Sequence, residues 1–123
     1  MDENKTKNLL FVFDKPPHSS LAAKEGLDAI LTASAFGQIV TLLLIGDGIY
    51  QLLNDQDPSH LPVKNTAPIF QALEMYGIEN IVTPSENLKS KGLSLSDLSI
   101  PCAPIDNEQL AKLYKTQDQI LSF

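Results

Sequence analysis

The sequence is poor in the residues that build covalent or metal-held sites. Its 123 residues include one cysteine, Cys102, which excludes an internal disulfide and a metal cluster held by thiolates alone. The two histidines, His18 and His60, lie in unrelated contexts, which argues against a zinc site. We therefore expect neither a bound metal nor a cofactor.

Arginine is also absent, so lysine supplies all 9 basic residues against 15 acidic ones, and the net charge is -6. Affinity for nucleic acid depends on clustered basic side chains that neutralise phosphates. The composition therefore predicts a protein that makes no direct contact with nucleic acid.

Long apolar runs are missing as well. The longest, Val40 to Ile45 with Thr41 inside it, is too short to span a bilayer, and the polar residues 1–5 lack the apolar region of a signal peptide. With 43% hydrophobic residues the chain can bury one core of its own. We expect a cytoplasmic single domain over residues 1–123, away from membranes, in which residues 1–7 form a flexible N-terminus.

Short apolar segments alternate with amphipathic ones along the chain, the pattern of strands alternating with helices. Strands are predicted at residues 9–13, 39–45, 78–82, 100–105 and 120–123. Helices are predicted at residues 19–35, 65–77, 83–91 and 106–116, with a short helical turn at 49–53 and a surface loop at 54–64. Capping-box sequences open two of these helices, at Thr83-Pro84-Ser85-Glu86, where the proline takes the first helical position, and at Asp106 to Gln109.

This alternation predicts an α/β layered domain with a flavodoxin-like or Rossmann-like topology. Its sheet is small and open, with four or five mostly parallel strands flanked by helices. Pro101 and Pro104 confine the fourth strand to an edge or a bulge, because proline has no N–H to donate. A functional site is expected beyond the carboxyl ends of the strands.

The loop after the first strand is the first candidate at that edge. Pro16 and Pro17 remove two N–H donors and no arginine is available, so this loop is a poor phosphate site. Lys15, His18 and Ser19 are instead candidates for a pocket or an interface. His18 is either a neutral, hydrogen-bonding histidine that lines a pocket or a residue that packs the start of the helix.

The sequence Gly46-Asp47-Gly48 lacks the third glycine of a nucleotide-binding fingerprint and is better interpreted as a tight strand-to-helix turn. Asp47 and the nearby Tyr50 remain candidates for a pocket or an interface. Gly26 lies within a helix, where it favours close approach of another backbone, either the domain's own sheet or a second subunit.

Several segments of the chain, in order, resemble the TusC/DsrF family of sulfur-relay proteins, and the likeness runs from about Leu9 to Phe123. The most specific of them is Gly46 to Leu53, which reads GDGIYQLL. The others are Phe11-Val12-Phe13, Pro17-His18, Glu25 to Leu31, Tyr76 to Glu79, Leu88 to Leu93 and Asp118 to Phe123.

The resemblance implies a DsrE/F-like fold and a place in a complex with TusB-like and TusD-like chains, arranged as a dimer of heterotrimers. It further implies a TusA-like sulfur donor and a TusE-like acceptor, with the sulfur ending in 2-thiouridine at the wobble position of tRNA. Related DsrEFH assemblies serve sulfur oxidation instead, which is an alternative for this chain.

In the resembled family the relay cysteine belongs to the TusD-like chain. The stretch that corresponds to its loop here is Thr83-Pro84-Ser85-Glu86, which has no cysteine, so the resemblance implies a non-catalytic subunit. Cys102 lies outside that stretch, and no neighbour in sequence would stabilise its thiolate, so we expect a buried, inert side chain. The alternatives are that Cys102 itself accepts persulfide, or that the chain is a stand-alone, flavodoxin-like module that binds a small ligand.

Overall fold

The computed structural model describes residues 6–16, 22–53 and 72–123. The strands in this part of the chain are β1 (Asn8–Phe13), β2 (Ile39–Leu44), β3 (Asn80–Pro84), β4 (Ala103–Ile105) and β5 (Gln119–Ser122). The α-helices are α1 (Ala22–Ala35), α2 (Ser85–Ser90) and α3 (Asn107–Thr116). Short 3₁₀ helices occupy Gly46–Leu52, Ala72–Tyr76 and Leu95–Asp97.

The five strands form one sheet in the order β4-β3-β2-β1-β5, and every pair of neighbours is parallel. This confirms the predicted α/β class and its parallel sheet. The chain moves in one direction from β1 to β4 and then returns across the whole sheet to place β5 beside β1. Because of that return, α1 and α2 cover one face of the sheet and α3 covers the other.

The core has two layers that follow from alternation along β1 and β2. Phe11, Phe13 and Leu42 face α1, whose Leu27 and Ile30 are fully buried against them. The opposite layer is smaller. It consists of Leu10, Val12 and Leu43 beneath Leu110, Leu113 and Tyr114 of α3.

The helix α3 begins as the sequence predicts. The Asp106 carboxylate accepts a hydrogen bond from the Gln109 N–H at 2.7 Å, and the Gln109 side chain accepts one from the Asp106 N–H at 2.9 Å. This reciprocal capping box satisfies two N–H groups that a helix start otherwise leaves unpaired.

Other boundaries differ from the prediction. The third strand begins and ends two residues later than expected, because Thr83 and Pro84 continue the ladder with Pro104 and Ile105. Strand β4 holds only three residues, of which Pro104 is one, and it lies at the sheet edge as predicted. The predicted loop at 54–64 and most of the helix at 65–77 lie outside the described residues, whereas Ala72–Tyr76 is a 3₁₀ helix. None of the helices described is long and apolar enough to cross a membrane.

Candidate functional site

The turn after β2 rests directly on the end of β1. A hydrogen bond from the Ile45 N–H to the Phe13 carbonyl spans 3.1 Å, and the Gly48 N–H donates to the Ile45 carbonyl at 2.8 Å. A Cβ atom on Gly48 would lie 1.8 Å from the Phe13 carbonyl oxygen, so only glycine fits there. The geometry is that of a tight strand-to-helix turn.

Lys91, which follows the helix after β3, contacts two side chains of this turn and its 3₁₀ helix. Lys91 follows α2, and its Nζ lies 2.9 Å from the Asp47 carboxylate and 4.9 Å from the centre of the Tyr50 ring. The Lys91 side chain is only 17% exposed. The hydrogen bond to Asp47 raises the pKa of Lys91 above its ordinary value of 10.5. The ammonium is therefore held between a carboxylate and an aromatic face.

Two amide side chains make further contacts at this edge. The Asn87 side chain of α2 donates to the Gly46 carbonyl at 3.2 Å, one helical turn before Lys91. The buried Gln51 side chain donates to the Lys15 carbonyl at 3.3 Å and so connects the loop after β1 with the 3₁₀ helix. The Lys15 ammonium itself lies 3.2 Å from the carboxylate of the adjacent Asp14, and both side chains are about half exposed.

The stretch Thr83-Pro84-Ser85-Glu86 does not form the predicted capping box. The Thr83 hydroxyl is fully buried and donates to the Leu44 carbonyl at 2.7 Å, across the β2–β3 ladder. Pro84 takes the cap position of α2 without a side-chain hydrogen bond, and Ser85 is the first helical residue. The prediction was wrong because a buried carbonyl competes for the threonine hydroxyl more strongly than the helix N–H groups do.

Cys102 lies just before β4, within the core layer that faces α1 and α2. Its side chain is 9% exposed, and burial raises the pKa of its thiol to about 12. At neutral pH the group is therefore a protonated thiol with little access to solvent.

Gly26 packs against the domain's own aromatic side chains. A Cβ atom at this position would lie 2.7 Å from the Phe13 ring and 2.8 Å from the Phe123 ring. Phe123 in turn stacks on Phe11 and Phe13 with ring centroids 6.1 and 5.9 Å apart. Of the two interpretations of Gly26, this geometry favours close packing on the chain's own sheet.

Of the candidates from sequence, the structure brings Lys15, Asp47 and Tyr50 to one edge, beyond the carboxyl ends of β1 and β2. His18 and Ser19 lie outside the described residues. No group of histidine, cysteine, aspartate or glutamate side chains that could hold a metal occurs in the part of the chain that is described.

The sequence analysis did not identify Asn87 and Lys91 as residues of this edge. Lys91 and Asn87 are four residues apart in a predicted helix. This spacing indicates that the two side chains lie on one face of the helix. Their partners lie 44 and 41 residues away, a pairing that only the β2–β3 register creates.

These features define a small, all-parallel α/β domain whose carboxyl edge is polar and carries no reactive thiol. Residues 7–123 match the DsrE/DsrF-like family, and the chain belongs to that family.

Within the family, the chain is similar to proteins named TusC homolog. The one from Vibrio parahaemolyticus is 39% identical over 115 residues, which cover 94% of this chain and 98% of the relative. The one from Pseudomonas aeruginosa is 31% identical over 117 residues, covering 95% and 98%. The crystal structure of the YchN protein of E. coli has the same fold, with a TM-score of 0.80 at 17% identity over 96% of this chain and 100% of YchN.

Proposed function

We propose that this chain is a non-catalytic subunit of a TusBCD-like sulfur-relay complex, which passes persulfide sulfur toward 2-thiolation of the wobble uridine of tRNA. Membership of the DsrE/DsrF-like family and near full-length similarity to TusC homologs support a role in sulfur relay. The partners are then TusB-like and TusD-like chains in a dimer of heterotrimers. A TusA-like donor and a TusE-like acceptor are reached through the complex.

The chemistry of such a relay explains the non-catalytic part of the proposal. An acceptor thiolate attacks the terminal sulfur of a donor persulfide, takes that sulfur and releases the donor as a thiolate. The acceptor cysteine must therefore be accessible and ionised near neutral pH. Cys102, the only cysteine of the sequence, is buried and has a thiol pKa of about 12. This observation carries the proposal that sulfur is held by other subunits.

The carboxyl edge supplies a fixed polar surface instead. Asn87 and Lys91 tie α2 to the Gly46–Gly48 turn, and the turn is held against β1. Because Asp47 neutralises the Lys91 ammonium, this ion pair offers little net charge to a free anion. We infer that the carboxyl edge acts as a support for a neighbouring subunit's loop.

The experiment replaces the gene in its source organism with variants Cys102→Ser and Cys102→Ala, and compares both with a deletion. The 2-thiouridine content of tRNA is measured by mass spectrometry of nucleosides. A tagged copy is purified under mild conditions, and the intact masses of copurifying chains are recorded. We expect the deletion to abolish 2-thiouridine, and both substitutions to retain it.

The outcomes separate the proposal from its alternatives. Two further small chains in equal amounts, one of them carrying an added sulfur, would support the subunit role. Loss of thiolation in both Cys102 variants, with the complex still assembled, would contradict the non-catalytic role. A deletion strain with normal 2-thiouridine but impaired sulfur oxidation would replace the tRNA assignment by a DsrEFH-like one. A tagged chain recovered alone, with a copurifying small ligand, would favour the stand-alone binding module.

A further inference from the structure

One face of the sheet is only partly covered. Within the described residues α3 alone lies on that face, where Leu110, Leu113 and Tyr114 pack against a cluster of β1 and β2 side chains. Five strands about 4.8 Å apart span about 19 Å between the outermost two, and a helix with its side chains is about 10 Å across. A single helix therefore leaves part of this face open.

A groove occupies the open part beside the edge strand β4. It lies between α3 and the strands β3 and β4, and its volume is about 350 Å³. Val82 and Ile105 form its floor, and they share one face because Ile105 pairs with Pro84, two residues after Val82. Leu113 of α3 adds an apolar wall, and all three of these apolar side chains are half-buried. We refer to the groove lined by Val82, Ile105, Gln109, Lys112, Leu113 and Thr116 as the α3 groove.

The polar residues of the α3 groove come from one side of its helix. Gln109, Lys112 and Thr116 follow one another at spacings of three and four residues. The Thr116 hydroxyl is already used, because it donates to a backbone carbonyl at 3.1 Å and accepts from the Gln117 amide at 3.3 Å. The Gln109 side-chain oxygen accepts the Asp106 N–H in the capping box, which leaves the Gln109 NH₂ group for a ligand.

Lys112 adds a positive charge to this donor. It is exposed, and among the residues described its ammonium makes no salt bridge and no side-chain hydrogen bond. Glu108 lies one helical turn earlier and does not pair with it. The available polar groups of the α3 groove are therefore donors, which suit an acceptor that carries negative charge.

The dimensions of the α3 groove favour a small molecule over a protein segment. Its volume is near the lower end of the roughly 300–1,000 Å³ that is typical of small-molecule sites. A specific protein contact takes about 20–30 residues from each partner, whereas six residues line this groove. A ligand with an apolar body and one carboxylate would cover the floor and meet both donors.

We propose that the α3 groove binds a small monocarboxylate with an apolar body, of the chemical class of the short fatty acids. The hydrocarbon part lies on Val82, Ile105 and Leu113, and the carboxylate accepts hydrogen bonds from the Lys112 ammonium and the Gln109 NH₂ group. The proposal does not depend on the sulfur-relay role. The groove lies on the α3 face, whereas α2, which carries contacts of the carboxyl edge, covers the other face.

The test is a titration of the full-length chain with octanoate, followed by NMR spectroscopy of its methyl groups. The methyl signals of Val82, Ile105 and Leu113 should shift in a saturable way. Acetate lacks the apolar body, and octylammonium carries the opposite charge. Both should bind at least about tenfold more weakly than octanoate.

Lys112→Met tests the charge, because methionine keeps an unbranched side chain without the ammonium. It should weaken octanoate binding about tenfold, through loss of a charge-assisted hydrogen bond. Lys115→Met is the matched control, because Lys115 is exposed on the same helix but does not line the α3 groove. It should leave the affinity unchanged.

Ile105→Ala tests the apolar floor. Removing part of this surface should weaken octanoate binding about fivefold. Ile120→Ala is its control, because Ile120 is 46% exposed and lies on the same face of the sheet, in β5 beside Leu10. The Tm of each variant shows whether the fold is retained.

Saturable shifts that are confined to the α3 groove and weakened by Lys112→Met support the proposal. Shifts without saturation, shifts spread over the surface, or equal losses in Lys112→Met and Lys115→Met would overturn it. The titration is repeated on the complex purified with the tagged chain. Octanoate that binds the isolated chain but not the complex would show that another subunit occupies the groove, and this too would overturn the proposal.

Discussion

The substitution Gly48→Ala tests how the carboxyl edge is built. The added Cβ would lie 1.8 Å from the Phe13 carbonyl oxygen and 2.5 Å from its carbonyl carbon, and both are backbone atoms that no rotamer change can move. Contacts of Cβ atoms shorter than 3.0 Å are essentially never observed, so the turn must move by about 1.2 Å from β1.

That displacement determines how much stability the substitution costs. It breaks the 3.1 Å bond from Ile45 to Phe13 and strains the 2.8 Å bond from Gly48 to Ile45. Both hydrogen bonds lie beside buried residues, so breaking them leaves backbone N–H and carbonyl groups without partners. We expect the free energy of unfolding to fall by about 3 kcal/mol, from two weakened hydrogen bonds and local overpacking.

The assay is urea unfolding of the full-length chain, followed by circular dichroism. Gly26→Ala serves as the control, because its Cβ would meet the Phe13 and Phe123 rings, side chains that can shift, rather than backbone. The better helix propensity of alanine, about 1 kcal/mol, offsets part of that clash. Gly26→Ala should therefore cost about 1 kcal/mol or less. A loss for Gly48→Ala no greater than that for Gly26→Ala would refute the account of a turn pressed against β1.

Three further predictions concern single side chains. Because its folded pKa is raised, Lys91 stabilises the fold fully below its ordinary pKa of 10.5 and loses that effect as pH rises through the folded pKa. The difference in Tm between wild type and Lys91→Met should accordingly shrink at strongly alkaline pH, and a difference independent of pH would contradict the pairing with Asp47. Cys102, with a pKa of about 12, should resist a thiol reagent at pH 8 in the folded chain, and one thiol should react in denaturant. Rapid labelling of the native chain would show that the thiol is accessible. Thr83→Val keeps the shape but removes the 2.7 Å bond to Leu44, so unfolding should become easier by about 1–2 kcal/mol, and a neutral variant would show that the bond contributes nothing.

Much of the fold could be predicted from sequence because its signals are local. The apolar run 9–13 forms a strand buried on both faces, and Pro104 within β4 agrees with the place of that strand at an edge. The capping box at Asp106 forms because no buried group competes for that exposed carboxylate.

The same reasoning was wrong at Thr83, where a second capping-box sequence lies in a different environment. Thr83 lies in the ladder between β2 and β4, and its hydroxyl finds the Leu44 carbonyl, which is distant in sequence. The pairing of Asp47 with Lys91 was out of reach for a related reason. It depends on strand register, and a sequence does not state which strands are neighbours.

The return of the chain from β4 to β5 sets the order in which the sheet can be completed. The ladders from β1 to β4 join segments that follow one another, but β5 pairs with residues about 110 positions earlier, as the bond between Asn8 and Asp118 shows. Closing so long a loop is entropically costly, and contacts of large sequence separation slow folding. We therefore expect β1 to spend part of the folding reaction with one edge unpaired. During that interval β1, which is an interior strand of the final sheet, is open to pairing with another chain.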